Sequence, residues 1–201
     1  MILNNFKLLD DVYTNRMYRN CIWTFDVVDD IDITKLLLTA DYQSLDSLLP
    51  VGGRKNYVKK SADTLDTFID SFNNLIFLKI QELVFAEKIK EIFQSRWPID
   101  SKQFDSNMFA MTHIFKDPPN FSMGKHLDNQ RVVGNAIVNL VDNNSTTEFF
   151  DYKDPNKVIF STEGTRNKGI LFLNTPAALH HIKNLNSDRY IINTSIMIKK
   201  W

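Results

Sequence analysis

The spacing of residues around Asp128 predicts a metal site. His126 and Asp128 stand two positions apart, and residues at that spacing on a strand project from the same face of a sheet. The two side chains can therefore bind one metal ion while Leu127 points away. A second histidine from a distant strand, supplied by the pair His180-His181, would complete a set of two histidines and one carboxylate. Such a set leaves open positions on Fe(II) for a cosubstrate and oxygen, so the pattern indicates oxidation chemistry.

Each of these motifs is common when it stands alone. An isolated His-x-Asp is also compatible with a loop histidine beside a capping aspartate, and His180 alone with a partly buried turn histidine. Their positions in the chain favour the metal site. Gly124 and a strand-like run precede His126, and His180 follows the apolar run and turn of residues 170–176.

The composition predicts one domain, residues 1–201, in a reducing, cytoplasmic setting. The 201 residues can bury a sizeable core, and the 24 basic and 24 acidic residues balance, which argues against nucleic acid or an anionic membrane as a partner. Cys21 is the single cysteine, and residues 1–6 lack the layout of a secretory signal. No apolar run approaches the roughly 20 residues that span a bilayer. The abundance of Asn, Lys, Ile and Phe is typical of an AT-rich bacterial or phage genome.

The first half of the chain, residues 1–104, is predicted to be largely helical. Residues 20–28 have the β-branched and aromatic composition of a strand, and short helices are expected over 33–40 and 42–49. Ser61 is the expected cap of the next helix, with Asp63 in its first turn. From 62 to 96 the apolar residues recur at steps of three and four, which predicts one long helix or two consecutive helices that support a sheet. Their apolar stripe is Leu65, Phe68, Ile69, Phe72, Ile76, Ile80, Leu83 and Val84.

The only notable basic cluster in the sequence begins in a predicted loop at residues 50–56. Its turn residues include Gly52 and Gly53, and the cations there are Arg54, Lys55, Lys59 and Lys60. Such a cluster is typical of a solvated loop. The alternative is a substrate-binding flap, residues 54–60, that hinges at the two glycines.

The second half, residues 105–201, is predicted to be a β core. Strand-like runs cover 109–115, 131–141, 147–152, 157–160, 169–173 and 189–199, separated by turns rather than helices. Many short strands in succession indicate antiparallel sheets, closed or sandwiched as in a jelly roll. The fold class is therefore α+β with a mainly β core, and the helical half is expected to pack against one outer face.

Together, His126, Asp128, His180 and Arg189 resemble the 2-oxoglutarate- and Fe(II)-dependent dioxygenases in motif, order and spacing, especially the prolyl-hydroxylase-like branch. The resemblance covers about residues 105–199. It implies a double-stranded β-helix (a cupin-like jelly roll) behind N-terminal supporting helices, with Fe(II), 2-oxoglutarate and O2 as cofactor and cosubstrates. Within it, His126, Asp128 and His180 are the expected iron ligands. His180 is preferred to His181 because a variable residue and then a branched apolar one usually follow the family's distal histidine.

The same resemblance implies a basic residue that pairs with the distal carboxylate of 2-oxoglutarate, and Arg189 holds that position. Alternation along the final strand would place Arg189 and Ser195 on one face and Tyr190 on the other. Asn139 and His113 are weaker candidates for further polar contacts in the pocket. The segment 147–150 lacks the glycines common in the family, so the floor of the site is expected to differ.

The function implied is hydroxylation of a C–H bond by a 2-oxoglutarate-dependent dioxygenase. The substrate stays open among a protein side chain such as proline, a free amino acid and a small metabolite. A nucleic-acid demethylase would need an Arg-x-Asn-x-Thr-x-Arg pattern, which the segment 189–194 breaks. A cupin-type metal enzyme usually carries more histidines than the 4 present here. The non-enzymatic alternative is an inactive jelly-roll interaction or virion-associated protein that keeps the metal motif.

Overall fold

Two antiparallel sheets and four helices make up the computed structural model, which describes residues 1–9, 21–28, 32–45, 53–59, 63–183 and 186–199. The helices are α1 (Thr34–Thr39), α2 (Thr64–Val84), α3 (Glu87–Arg96) and α4 (Phe104–Asn107). The strands are β1 (Ile2–Leu8), β2 (Ile22–Val28), β3 (Tyr42–Ser44), β4 (Lys55–Tyr57), β5 (Met108–Asp117), β6 (Ser122–His126), β7 (Val132–Asn139), β8 (Thr146–Phe150), β9 (Val158–Ser161), β10 (Lys168–Leu173), β11 (His180–Lys183) and β12 (Arg189–Ile198).

The strands divide into a major and a minor sheet. The major sheet has 8 strands in the order β1-β2-β10-β7-β12-β5-β4-β3, and the minor sheet has 4 in the order β6-β11-β8-β9. Because neighbouring strands are distant in sequence, residues far apart along the chain come side by side. The predicted sheet-rich α+β class with antiparallel sheets is confirmed.

One face of the major sheet packs against α2. The helix begins after Asp63, whose carboxylate accepts a hydrogen bond of 2.8 Å from the Asp66 amide. Its predicted apolar stripe is buried except for the partly buried Leu83, and the helix lies against β5 and β12. Tyr190, Ile192 and Ile196 belong to this helix-side core, as the alternation along β12 predicted. The region 62–96, predicted as one long helix or two consecutive helices, forms the two helices α2 and α3.

The opposite face of the major sheet carries a smaller apolar cluster. It includes Phe149 of the minor sheet. Its buried members are Ile22, Ile137, Phe149, Ile170, Phe172, Ala178 and Ile191. Side chains on this face lie between the two sheets. Any ligand held between the sheets would therefore meet an environment of low polarity.

The first half of the chain differs from the prediction in its strands. Tyr42–Ser44 forms β3 rather than a helix, because Tyr42 pairs with Tyr57 of β4. Tertiary pairing of this kind overrides a local propensity. The predicted cap Ser61 lies outside the described residues, whereas Asp63 is the cap of α2. Across the described ranges, no helix is both long and apolar enough to cross a membrane.

Candidate metal and anion site

Three side chains predicted as metal ligands meet between the two sheets. His126 ends β6 and stands opposite His180, the first residue of β11. Their ring centroids are 4.3 Å apart. Asp128 follows two residues after β6, and the potential ligand atoms of the three side chains lie within 4.8 Å of one another. The pairing of β6 with β11 therefore brings together residues that are more than fifty positions apart in the chain.

Backbone carbonyls orient both histidines. His126 Nδ1 lies 2.7 Å from the Gly124 carbonyl oxygen, and His180 Nδ1 lies 2.9 Å from that of Ala178. A carbonyl oxygen only accepts hydrogen bonds, so each Nδ1 is the donor, and in the neutral ring each Nε2 keeps its lone pair. Metal-binding histidines are commonly held in this way. The neutral form of each ring can thus bind a metal through Nε2.

Burial keeps His180 in the neutral form. The side chain is 2% exposed, and this burial lowers its pKa below the ordinary value. The Asp128 carboxylate opposes the shift, whereas His126 adds to it. Since a metal ion binds only the unprotonated imidazole, His180 is ready to coordinate at neutral pH. Phe149 and Phe172 surround its ring, with centroids 5.6 and 5.0 Å away.

A short chain of hydrogen bonds holds Asp128. Asn135 Nδ2 donates to Asp128 Oδ2 at 2.6 Å, and Ser195 Oγ donates to Asn135 Oδ1, also at 2.6 Å. The Asn174 side chain donates to the backbone carbonyls of Asp128 and Asn129. Sequence reasoning did not single out Asn135 or Asn174. Their signal was a polar residue within or directly after an apolar strand, since Asn135 lies in β7 and Asn174 follows β10, and a buried polar residue there is uncommon unless it has a partner.

The neighbouring histidine takes no part in this group. His181 points to the other face of β11, where Nε2 lies 3.2 Å from Ser122 Oγ and Nδ1 lies 3.6 Å from a Glu148 carboxylate oxygen. Adjacent residues on a strand face opposite sides, so only one of the two histidines can join His126 and Asp128. Because the His180 ring lies beside that of His126, the alternation of side chains along β11 assigns that place to His180.

Arg189 is buried at the start of β12. It is 1% exposed, and its Nη1 donates to Asp117 Oδ2 at 3.0 Å. Its Nε has no hydrogen-bond partner among the described residues. Burial lowers the pKa of Arg189 to about 10, which Asp117 opposes and Arg54 reinforces, so the guanidinium is still charged at neutral pH. A buried cation with a spare donor is suited to an anionic ligand.

Arg54 completes a second contact with the same carboxylate. Its Nε and Nη2 donate to the two oxygens of Asp117 at 2.6 and 2.9 Å. Its guanidinium carbon lies 4.7 Å from the ring centroids of both Phe115 and Phe121. Arg54 is thus a buried residue, which contradicts a solvated loop at this position. The predicted flap partners Gly52 and Lys60 lie outside the described residues.

A cavity of about 400 Å³ opens beside Arg189. Asn139, Ile137, Thr147 and Phe160 help to line it, whereas the three metal-ligand candidates do not. Ile137 and Ile170 of the apolar cluster between the sheets line the cavity, and Phe149 and Phe172 of the same cluster lie beside the His180 ring. The structure therefore brings Asn139 to the same cavity as Arg189.

His113 lies elsewhere. It stands on the same sheet face as Asn193, its register partner, but lines a different cavity and lies within 3.2 Å of the Asn56 side-chain amide. Burial lowers its pKa. The structure does not bring His113 to the metal group or to the cavity at Arg189.

Solved structures of prolyl hydroxylases share this fold. A viral collagen prolyl hydroxylase from Paramecium Bursaria Chlorella virus-1, in a 2-oxoglutarate complex, matches with a TM-score of 0.57 at 15% identity, over 89% of this chain and 96% of that one. A Pseudomonas putida prolyl-4-hydroxylase matches with a TM-score of 0.52 at 11% identity, over 80% and 79%. No protein-family model and no curated protein matches the sequence.

The predicted resemblance to the prolyl-hydroxylase-like branch of the 2-oxoglutarate and Fe(II) oxygenases is thus confirmed at the level of fold. The donor set of two histidines and one carboxylate is consistent with Fe(II). The roles of individual residues rest on their geometry in this chain.

Proposed function

We propose that this protein is a non-haem Fe(II)- and 2-oxoglutarate-dependent dioxygenase that hydroxylates a C–H bond of its substrate. In this proposal residues 1–201 form one domain, and the two sheets are a double-stranded β-helix. The observation that carries the proposal is the convergence of His126, Asp128 and His180 in a fold shared with prolyl hydroxylases. The buried Arg189 supports it as the expected anion-binding residue.

His126, Asp128 and His180 would hold the iron. Two neutral imidazole nitrogens and one carboxylate oxygen suit Fe(II) and leave positions free for other ligands. Iron in such a site, with 2-oxoglutarate and O2, supplies an oxidant for C–H bonds while 2-oxoglutarate is converted to succinate and CO2. The protein's own contribution is to fix the two ring tautomers through Gly124 and Ala178 and to orient Asp128 through Asn135.

Arg189 would bind the distal carboxylate of 2-oxoglutarate. A guanidinium can pair with a carboxylate through two parallel hydrogen bonds, and its Nε is unused by the described residues. Asn139, which lines the same cavity, would add a polar contact. Phe149, Phe172 and Ile191 lie in the apolar cluster between the sheets and would limit access of water to the reacting groups.

A peptidyl proline is the first substrate to test. The two similar solved structures are named as prolyl hydroxylases, one of them a collagen prolyl hydroxylase. The metal group is also reachable from solvent, since the His126 and Asp128 side chains are 26% and 18% exposed. An opening on that side suits a side chain presented by a larger molecule, and a free amino acid or small metabolite is the next class to assay.

The decisive experiment is anaerobic titration of the protein with Fe(II) and 2-oxoglutarate. We expect a metal-to-ligand charge-transfer band in wild type and its loss in His180→Ala. His181→Ala is the matched control, because that histidine faces Ser122 and Glu148 on the other side of the strand. It should keep the band.

Each outcome has a definite meaning. Absence of the band in wild type, with the protein folded, would refute the proposed function. Equal loss in the His180 and His181 variants would refute the ligand assignment. A band in wild type without succinate formation in air, across proline peptides, amino acids and small metabolites, would favour an inactive interaction protein that keeps the metal motif.

A further inference from the structure

Three buried charged residues, Arg54, Asp117 and Arg189, form a ladder across neighbouring strands of the major sheet. Asp117 stands opposite Arg189 in the register of β12 and β5. Arg54 directly precedes β4, which pairs with β5. Their residue exposures are 9%, 0% and 1%. We refer to these three residues as the charge ladder.

The net charge of the charge ladder is unusual for a buried group. One carboxylate paired with Arg189 alone would form a neutral pair with little attraction for an anion. Arg54 donates to both oxygens of the same carboxylate, so two guanidinium groups share one negative charge. Counted over the described residues, the cluster therefore has a surplus of one positive charge. A buried charge without compensation is costly, which favours an anion beside the cluster.

Two aromatic rings and the Asp117 carboxylate hold the side chain of Arg54 in place. The rings of Phe115 and Phe121 both lie 4.7 Å from its guanidinium carbon, which allows cation–π attraction on each. Its two hydrogen bonds to Asp117 use the fork geometry that a lysine lacks. Arg189 Nε, which has no hydrogen-bond partner among the described residues, belongs to a residue that lines the cavity. Any anion attracted by the surplus charge would meet Arg189 there.

We propose that Asp117 and Arg54 are positioning residues for the cosubstrate carboxylate. Asp117 fixes the orientation of the Arg189 guanidinium, and Arg54 offsets the charge of Asp117 so that Arg189 keeps its attraction for a carboxylate. This inference rests on the proposed function, in which Arg189 binds the distal carboxylate of 2-oxoglutarate. Arg54 lies far from Arg189 in sequence, and it influences Arg189 through Asp117.

A merely structural role makes a different prediction. If Arg54 only fastens β4 to β5, its loss would lower stability, and a further loss of Asp117 would leave the site as weak or weaker. If the net charge of the charge ladder controls the affinity for 2-oxoglutarate, Arg54→Gln leaves a neutral Asp117–Arg189 pair and weakens 2-oxoglutarate binding. Adding Asp117→Asn then removes the negative charge and restores the surplus on Arg189. The double variant should therefore bind better than the single one.

The test is calorimetric titration of 2-oxoglutarate into Mn(II)-loaded protein without O2, where Mn(II) replaces the reactive iron. We expect Arg54→Gln to weaken 2-oxoglutarate binding about tenfold or more, since a charge is lost from a buried cluster. Mn(II) affinity should not change, and Arg54→Gln with Asp117→Asn should recover most of the lost affinity. Lys59→Gln is the matched control. It removes a nearby cation whose side chain is 52% exposed and pairs with Asp70, so it should bind 2-oxoglutarate as wild type does.

Unchanged binding in Arg54→Gln, or no recovery in the double variant, would overturn the inference. If Arg54→Gln does not fold, Arg54→Lys and the double variant decide. Both keep the surplus charge and should bind 2-oxoglutarate measurably, and failure of both in folded protein overturns the inference. Wild type that binds Mn(II) but no 2-oxoglutarate would instead refute the proposed function itself.

Discussion

Replacing Asn135 by alanine should weaken metal binding without unfolding the protein. Asn135 is 6% exposed and joins two side chains, because it donates to Asp128 and accepts from Ser195, each at 2.6 Å. The variant removes the amide that orients the Asp128 carboxylate. Loss of such a supporting contact commonly lowers metal affinity about tenfold to a hundredfold. In free energy this is about 1.4–2.8 kcal/mol.

The cost in stability should be smaller than the cost in metal affinity. A hydrogen bond to a charged group contributes about 1.5–3 kcal/mol when both groups are buried. The Asp128 side chain is 18% exposed, so water can partly replace the lost amide. We therefore expect the metal-free variant to lose about 1 kcal/mol of the free energy of unfolding.

The assay is anaerobic calorimetric titration with Fe(II), together with urea unfolding of the metal-free protein. Thr194→Val is the matched control. Thr194 is a buried neighbour of Ser195 that points to the helix side of β12, where it shares a hydrogen bond of 2.7 Å with Thr112. This control should lose stability and keep its Fe(II) affinity. If Asn135→Ala binds Fe(II) as tightly as wild type, Asn135 does not position the carboxylate.

Three further outcomes follow from the packing and the pKa shifts. Burial lowers the pKa of His180 and His113 below the ordinary 6.5, so the unfolded state binds more protons below that pH. Stability of the metal-free protein should therefore fall as the pH drops below about 6.5, and urea unfolding of His113→Gln should show a shallower fall. Gly134→Ala should cost about 1–3 kcal/mol in urea unfolding, because its Cβ would lie 2.8 Å from the Phe172 carbonyl oxygen. Gly124→Ala has open space around its Cβ, and unchanged stability and Fe(II) affinity are the expected results.

Local periodicity was enough to predict several parts of this protein. The alternation along β12 depends only on the geometry of a strand, whereas Asp128 lies two residues beyond the end of β6 and is not positioned by that geometry. The apolar stripe of α2 depends likewise on the helical repeat. These features involve residues within a few turns or strand positions of each other. The resemblance that joined them to His180 and Arg189 also came from order and spacing along the chain.

Contacts across the sheet were beyond such reasoning. Residues 42–44 of the helix expected at 42–49 form strand β3 instead, since Tyr42 pairs with Tyr57. Arg54 stood in a loop that was expected to be solvated or mobile, yet it binds Asp117 across 63 positions of sequence. Nothing local to either residue indicates this pair. It depends on which strands become neighbours.

The sequence by itself predicted which residues could bind a metal and which side chains of β12 share a face. Only the tertiary structure decided that Asn135 supports Asp128 and that Arg54 joins Arg189 through one carboxylate. The physical reason is that strand register is set by packing of the whole sheet rather than by neighbours in the chain. A periodic pattern identifies the face of a strand, and the register determines what that face meets.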